Sequence, residues 1–202
     1  MTWKASAYRM WQGCRKALQS LRSIGLHREY FYRHDLQFIP ELRPPKIRVS
    51  IRLLALSELE MLHEIWPIDI KKVTARLTDG HSCCYLTSFE GRPIAYQWVQ
   101  FEGLHFVQQA GQYISLRKGQ DFMIYHTRVK QEFQSKGINT SLLLHILHDF
   151  AQKGYSTGYI YTSSKNLPNQ KGICSIGFVH YDTILSLRAG EKYITSKKVN
   201  LI

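Results

Sequence analysis

The stretch VKQEFQSKGINTSLLLHILHDFAQKG, residues 129–154, limits the fold more than any other part of the chain. It leaves an apolar segment, crosses a short polar loop with one glycine, and enters a run with Leu143, Ile146, Leu147 and Phe150 at i, i+3, i+4 and i+7. That period predicts a helix with one apolar face, from about Asn139 to Lys153. The segment before it, DFMIYHTRV (121–129), reads as a strand, and TGYIYTSS (157–164) reads as another. A strand, a helix and a strand in succession call for a mixed α/β or α+β domain with helices laid on a sheet.

The junction between the first strand and the helix also has chemistry. A helix start presents N–H groups without intrahelical partners, and the helix dipole adds partial positive charge there. Glycine lets such a backbone come close to a ligand. Gln134, Ser135, Lys136, Gly137, Ile138, Asn139 and Thr140 therefore form a candidate anion site that suits a pyrophosphate, with Lys136 adding charge beside it. An ordinary strand–loop–helix junction would carry the same local pattern, so the pattern alone names no ligand. Neither G-x-x-x-x-G-K-[ST] nor G-x-G-x-x-G occurs; GICSIGF has two glycines but Phe178 where a lysine belongs.

The rest of the chain divides at PELRPPK, residues 40–46, because its three prolines cannot sit inside a helix. Residues 3 to about 37 read as helical, with Trp3, Trp11, Leu18, Tyr30, Phe31 and Leu36 on the apolar side. The expected organisation is a helical appendage over 1–45 and one α/β domain over 46–202. In that domain KIRVSIRLL reads as a strand, and SELE (57–60) as a capping box opening a helix. A further helix is expected over Asp69 to Leu77. CCYLTSFEGRPIAYQWVQFEG reads as a hairpin turning at Glu90–Gly91. A short helix near 168–175 and a last hairpin turning at Ala189–Gly190 complete a mixed, mostly antiparallel sheet of about six or seven strands.

Composition narrows the class. The 27 lysines and arginines exceed the 15 acidic residues, for a formal charge of +12. That balance favours an anionic partner or serves solubility alone. Cys14, Cys83, Cys84 and Cys174 contain no C-x-x-C pair, which reads as a reduced, cytoplasmic chain. No window approaches 18 apolar residues, so no transmembrane segment is expected. His145 with His148, and His81 with Cys83 and Cys84, lack recognisable zinc spacing, so no metal is expected. Nucleic acid is unsupported beyond the charge.

From Lys46 to about Arg188 the chain resembles the GCN5-related N-acetyltransferase (GNAT) superfamily. Gln134-x-x-Gly137-x-Asn139 is similar to that superfamily's pyrophosphate loop, [Gln/Arg]-x-x-Gly-x-[Gly/Ala]. Val129, eight residues before Gly137, matches its strand valine, whose backbone pairs with the pantetheine arm. Asn166 followed by Gly177–Phe178 resembles its later Asn…Gly-Phe element, and EGRPIAY its early hairpin. The resemblance implies an acyl-CoA (acetyl-CoA or longer) as co-substrate and a small-molecule amine as acceptor. Val129, the 134–140 loop and Asn166 would hold the donor.

Three positions depart from the pattern. Asn139 replaces a small residue. Ile173 stands where several members place a tyrosine acid, and Met123 where histone-acetylating members place a glutamate base. Asp121 and Tyr125 flank Met123 on one strand face and are the candidate catalytic residues in its stead. Glu102, His105 and Tyr113 lie in segments flanking an acceptor. Two other expectations stand beside acyl-CoA-dependent N-acylation. One is a relative that takes its acyl chain from acyl carrier protein, an acidic partner suited to Arg15, Lys16, Arg22, Arg28 and Arg33. The other is a catalytically silent donor-binding module, suggested by Ile173 and Met123.

Overall fold

Hydrophobic strands and one strongly apolar helix assemble a sheet that is covered on both faces. In the computed structural model residues 25–189 and 192–196 are described. Their strands, in chain order, are β1 (Gly25–Asp35), β2 (Ser50–Leu53), β3 (Ser82–Phe89), β4 (Arg92–Gln100), β5 (Gly103–Val107), β6 (Gln112–Leu116), β7 (Asp121–Val129), β8 (Thr157–Ser163), β9 (Val179–Ala189) and β10 (Lys192–Thr195). Eight of them form one sheet in the order β10-β9-β1-β8-β7-β4-β3-β2, and β5–β6 is a separate hairpin. Only β7 and β8 run parallel within this set; the other neighbours are antiparallel. The expected mixed, mostly antiparallel architecture is therefore present, with eight strands in place of six or seven.

The extra strand corrects the reading of the chain before the prolines. Residues 25–35 are not helical. They form β1, which lies inside the sheet between β8 and β9, antiparallel to both. A strand covered on both faces loses strict alternation, and Phe31 and Tyr32, adjacent in sequence, are both buried. A register shift against β9 between Phe31 and Tyr32 breaks the period further. The proline segment at 40–46 is thus a connection within one sheet and not the edge of a helical appendage. The remainder of that expected helix, with Trp3, Trp11, Arg15, Lys16, Leu18 and Arg22, lies outside the described residues, as does Gly190 of the last turn.

Local chemistry explains the smaller elements. Glu90 and Gly91 both have positive φ, 49° and 77°, the backbone of a type I′ hairpin turn between β3 and β4. The Glu58 carboxylate accepts from Ala55 N at 3.1 Å and grips the Arg52 guanidinium at 2.6 and 2.7 Å, so the turn begins at Ala55 and not at Ser57. It leads into α1 (Glu60–His63). Asp69 caps α2 (Ile70–Thr78) by accepting from Lys72 N. The long helix α3 (Ile138–Gln152) and the short α4 (Leu167–Cys174) follow β7 and β8.

The core holds the parallel pair in place. Leu142, Leu143, Leu144, Ile146, Leu147 and Phe150 of α3 pack on Phe122, Ile124 and Ile160. The Phe150 ring stacks on Phe122 with centroids 4.2 Å apart. A Cβ at Gly158 would stand 2.8 Å from Phe122 Cζ and 3.2 Å from Leu147 Cδ2, so only glycine allows this approach of helix to strand. α1 and α2 cover the other face through Leu62 and Val73, against Leu86, Trp98 and Tyr125. Beside them the β5–β6 hairpin seals Phe31, Met123 and Tyr159 with Val107, Ala110 and Ile114. Its strands of five residues mix polar and apolar side chains and gave no strand signal.

Candidate functional site

The site begins where two parallel strands part. Pairing between β7 and β8 ends at Ile124 and Ile160, yet β7 continues to Val129 and β8 to Ser163. β4 draws β7 one way, pairing Ala95 with Val129, and β1 draws β8 the other, pairing Phe31 with Tyr161. A bulge assists. Trp98 pairs with Tyr125 and Tyr96 with Arg128, so His126 and Thr127 together face Gln97. His126 takes φ of 52° to accommodate it, and Gln97 Nε2 donates to Thr127 Oγ1 at 2.6 Å. The opening is a cleft of about 770 Å³ at the carboxyl ends of the parallel strands, a usual place for ligands in such sheets.

One wall is the loop that enters α3. Ser135 (φ 60°) and Gly137 (φ 80°) both adopt left-handed backbone, which turns successive N–H groups toward one side. Gly137 is the N-cap; no side chain caps it, and no acidic residue lies in the first turn. The first backbone bond of the helix is Ser141 N to Gly137 O, which leaves the N–H groups of Ile138, Asn139 and Thr140 without intrahelical acceptors. This wall attracts anions by geometry and dipole together. Asn139 Nδ2 donates to Asn169 Oδ1, Asn169 Nδ2 donates to Thr162 Oγ1, and Asn166 Oδ1 accepts from Asn169 N. That chain ties α3, α4 and β8 together behind the opening, and Asn139 Oδ1 is buried without a partner.

The other wall is aromatic and carboxylic. Glu29 of β1 lines the cleft at 4% exposure. It forms no hydrogen bond or ion pair among the described residues, and burial pushes its carboxyl up to about 7. Tyr161 faces the same space and stacks on Phe31, centroids 5.3 Å apart. Behind it His105 is packed against Tyr125 at 4.6 Å. Burial, then the charges of Arg76 and His126, lower His105 to about 3, so its ring is neutral. Gln100 Nε2 donates to two carbonyls, of Glu102 and Leu104, and its Oε1 must therefore accept the His105 Nδ1 proton at 2.9 Å. His105 Nε2 is left as the acceptor of the Tyr161 hydroxyl, 3.4 Å away. Burial lowers His126 to about 4, with Arg76 and Arg128 adding to it, and burial raises Tyr125 to about 12.

Most of the residues singled out from the sequence meet in this cleft. Tyr125, Val129, Gln134, Ser135, Gly137, Ile138, Asn139, Thr140 and Asn166 line it. Lys136 does not: its ammonium lies 5.5 Å from the Phe133 ring centroid, and its carbonyl accepts from Lys46 N. Asp121 is also elsewhere. It starts β7, four residues before the cleft, with no exposed surface, and accepts from Arg117 N, Nε and Nη2 at 3.1, 2.7 and 2.8 Å. Such a clamped carboxylate is a fold element, and the expectation that it serves as a base is withdrawn. Ile173 is fully buried in the core and offers no proton donor. Glu102 pairs with Lys118 at the surface and Tyr113 is exposed on the hairpin. Glu29, His27, Gln109, His126 and Tyr161 were missed. The signal for Glu29 was a lone carboxylate inside the aromatic run HREYFYRH, informative only once that run is known to be a strand.

Comparison with known proteins agrees with this fold. The Acetyltransferase (GNAT) family matches residues 51–173. No curated protein matches the chain. Among solved structures it is similar to a GNAT-family protein of Novosphingobium aromaticivorans DSM 12444, at TM-score 0.57 and 14% identity, covering 82% of this chain and 65% of that one. It is similar to a glucosamine N-acetyltransferase region of a fungal multi-domain β-N-acetylglucosaminidase, at TM-score 0.59 and 15% identity over 85% of this chain and 22% of that one. The ribosomal-protein-S18-alanine N-acetyltransferase of Escherichia coli aligns at TM-score 0.54 and 15% identity over 67% of this chain and 80% of that one. The chain therefore spans just under two thirds of the Novosphingobium protein it resembles.

Proposed function

Because the chain belongs to the GNAT acetyltransferase family, we propose that it transfers an acyl group from an acyl-CoA thioester to a primary amine by direct attack in a ternary complex. The observation that carries this reading is the parting of β7 from β8 beside an uncapped helix start. Main-chain groups freed along Tyr125 to Val129 offer an extended ligand a strand to pair with. The 134–140 loop offers N–H groups to its phosphates. A donor lying along both would bring its thioester to the fork, next to Tyr125 and Tyr161.

The reaction needs a neutral amine nitrogen on the thioester carbonyl carbon. The carbon–nitrogen bond forms, the carbon–sulfur bond breaks, and sulfur leaves with the electron pair. Holding both reactants at the fork makes the encounter effectively unimolecular, and backbone N–H at the fork polarises the carbonyl. Calorimetry with CoA tests the donor wall. Gly137→Val places a branched side chain in left-handed backbone, where the Cβ also meets Pro45 Cα at 3.6 Å. It should weaken CoA binding at least tenfold while circular dichroism stays native. Equal affinity in a folded variant would remove the donor from this loop. Thiol release with acetyl-CoA, longer acyl-CoAs and acyl carrier protein then identifies the donor.

A further inference from the structure

We propose that Glu29, carried into the cleft by β1, is the general base that takes the proton from the acceptor ammonium. This rests on the reading of the cleft as an amine-acylating site. The family match begins at residue 51, so the strand that supplies Glu29 lies outside the matched region. β1 is nonetheless integral to the site. It pairs with β8 at Glu29–Ser163 and with β9 at Glu29–Ile184, so the backbone at Glu29 is fixed on both sides.

The geometry selects Glu29 over the phenols of Tyr125 and Tyr161 and the rings of His105 and His126. Facing the cleft are His27 and Glu29 from β1, Tyr125 and His126 from β7, and Tyr161 from β8; His105 of β5 and Arg76 of α2 stand behind. The Arg76 guanidinium lies over the rings of Trp98 and Tyr125, at 4.9 and 5.4 Å, and forms no ion pair with Glu29. Tyr161, whose phenol is raised by burial and then by the Glu29 charge, is engaged with His105 Nε2 and not with the carboxylate. The phenols of Tyr125 and Tyr161 stay protonated at neutral pH, and His105 is a weak base with both nitrogens engaged. His126 is likewise a weak base. Glu29 at about 7 matches the working range of a general base. A carboxylate that is buried and has no partner among the described residues is a costly arrangement of the kind active sites retain.

An arriving ammonium supplies the missing cation. Its first proton passes to a Glu29 carboxylate oxygen, leaving a neutral amine and a neutral acid. The nitrogen lone pair forms the bond to the thioester carbon. The tetrahedral adduct then expels sulfur, which takes the second amine proton, and Glu29 returns the first to solvent. The sum is amide, thiol and one released proton. The acceptor class is therefore a cationic primary amine, and its charge is part of what the site recognises.

The test uses the full chain as wild type, Glu29→Gln and Glu29→Asp. Glu29→Gln should lower turnover at pH 7 by about 100-fold and abolish the acid limb of the pH–rate profile near 7. It should leave CoA affinity within twofold. Glu29→Asp should recover part of the rate with a shifted limb. Independently of turnover, difference infrared spectroscopy on wild type against Glu29→Gln should show one buried carboxyl titrating near 7. A carboxyl titrating near the usual value of about 4.3, or a Glu29→Gln profile like that of wild type, overturns the assignment while CoA calorimetry still upholds the donor wall. Absence of CoA binding in the wild type overturns both.

Discussion

The two walls of the cleft are built in opposite ways. The proposed donor wall is a single run of chain, from the end of β7 through the 134–140 loop into α3. Its chemistry is backbone chemistry: left-handed Ser135 and Gly137, an uncapped helix start, and main chain released by the fork. The opposite wall gathers Glu29 from β1, Tyr125 and His126 from β7 and Tyr161 from β8, with His105 of the β5–β6 hairpin behind them, and its chemistry is that of side chains under burial. The contrast teaches that a backbone wall suited to anions needs only a local motif. A base with a shifted pKa needs a neighbourhood, which several distant segments must supply.

Substitutions that separate the walls have the largest expected effects. Gly137→Val should raise the CoA dissociation constant at least tenfold, and Glu29→Gln should cut turnover about 100-fold at unchanged CoA affinity. A variant that moved both quantities together would show that the walls act as one. Asp121→Asn comes next and belongs to neither wall. It removes the charge that receives three Arg117 donors inside the fold. Urea denaturation should show a loss of about 2–3 kcal/mol, with the activity of the folded fraction intact. A selective loss of turnover would return Asp121 to the chemistry.

A smaller effect tests burial on the Glu29 side. Its folded pKa is raised above the unfolded value, so stability is complete below about 4.5 and declines as pH rises to about 7, where the folded carboxyl ionises. Glu29→Gln has no such term. Its melting temperature relative to wild type should rise from pH 4.5 to pH 8.5 by about 5 °C, or about 2 kcal/mol after allowing for solvent in the cleft. A difference that stays constant with pH would place Glu29 in water. Tyr125→Phe has the smallest effect. Its phenol is held protonated and is not required as a base, so initial rates should change less than threefold; a greater loss would bring the hydroxyl into the reaction.

What could be read from the sequence was whatever depends on near neighbours in the chain. The 3.6-residue period of α3, the Glu90–Gly91 turn, the β7 and β8 segments and the glycine at the helix start are local, and the structure has them where expected. So is the family pattern around Gly137. β1 was misread because a strand between two others is buried on both faces, and aromatic residues at 30, 31 and 32 fit no single period. Asp121 was misassigned because Arg117, which clamps it, was not recognisable as its partner. Tertiary structure alone decided that β1 enters beside β8 and that β4 and β1 pull the parallel strands apart. It alone placed Glu29 in the cleft with no ion pair among the described residues. Register and strand order are settled by summed packing across the whole sheet, and the pKa of a carboxylate by how much water that packing removes.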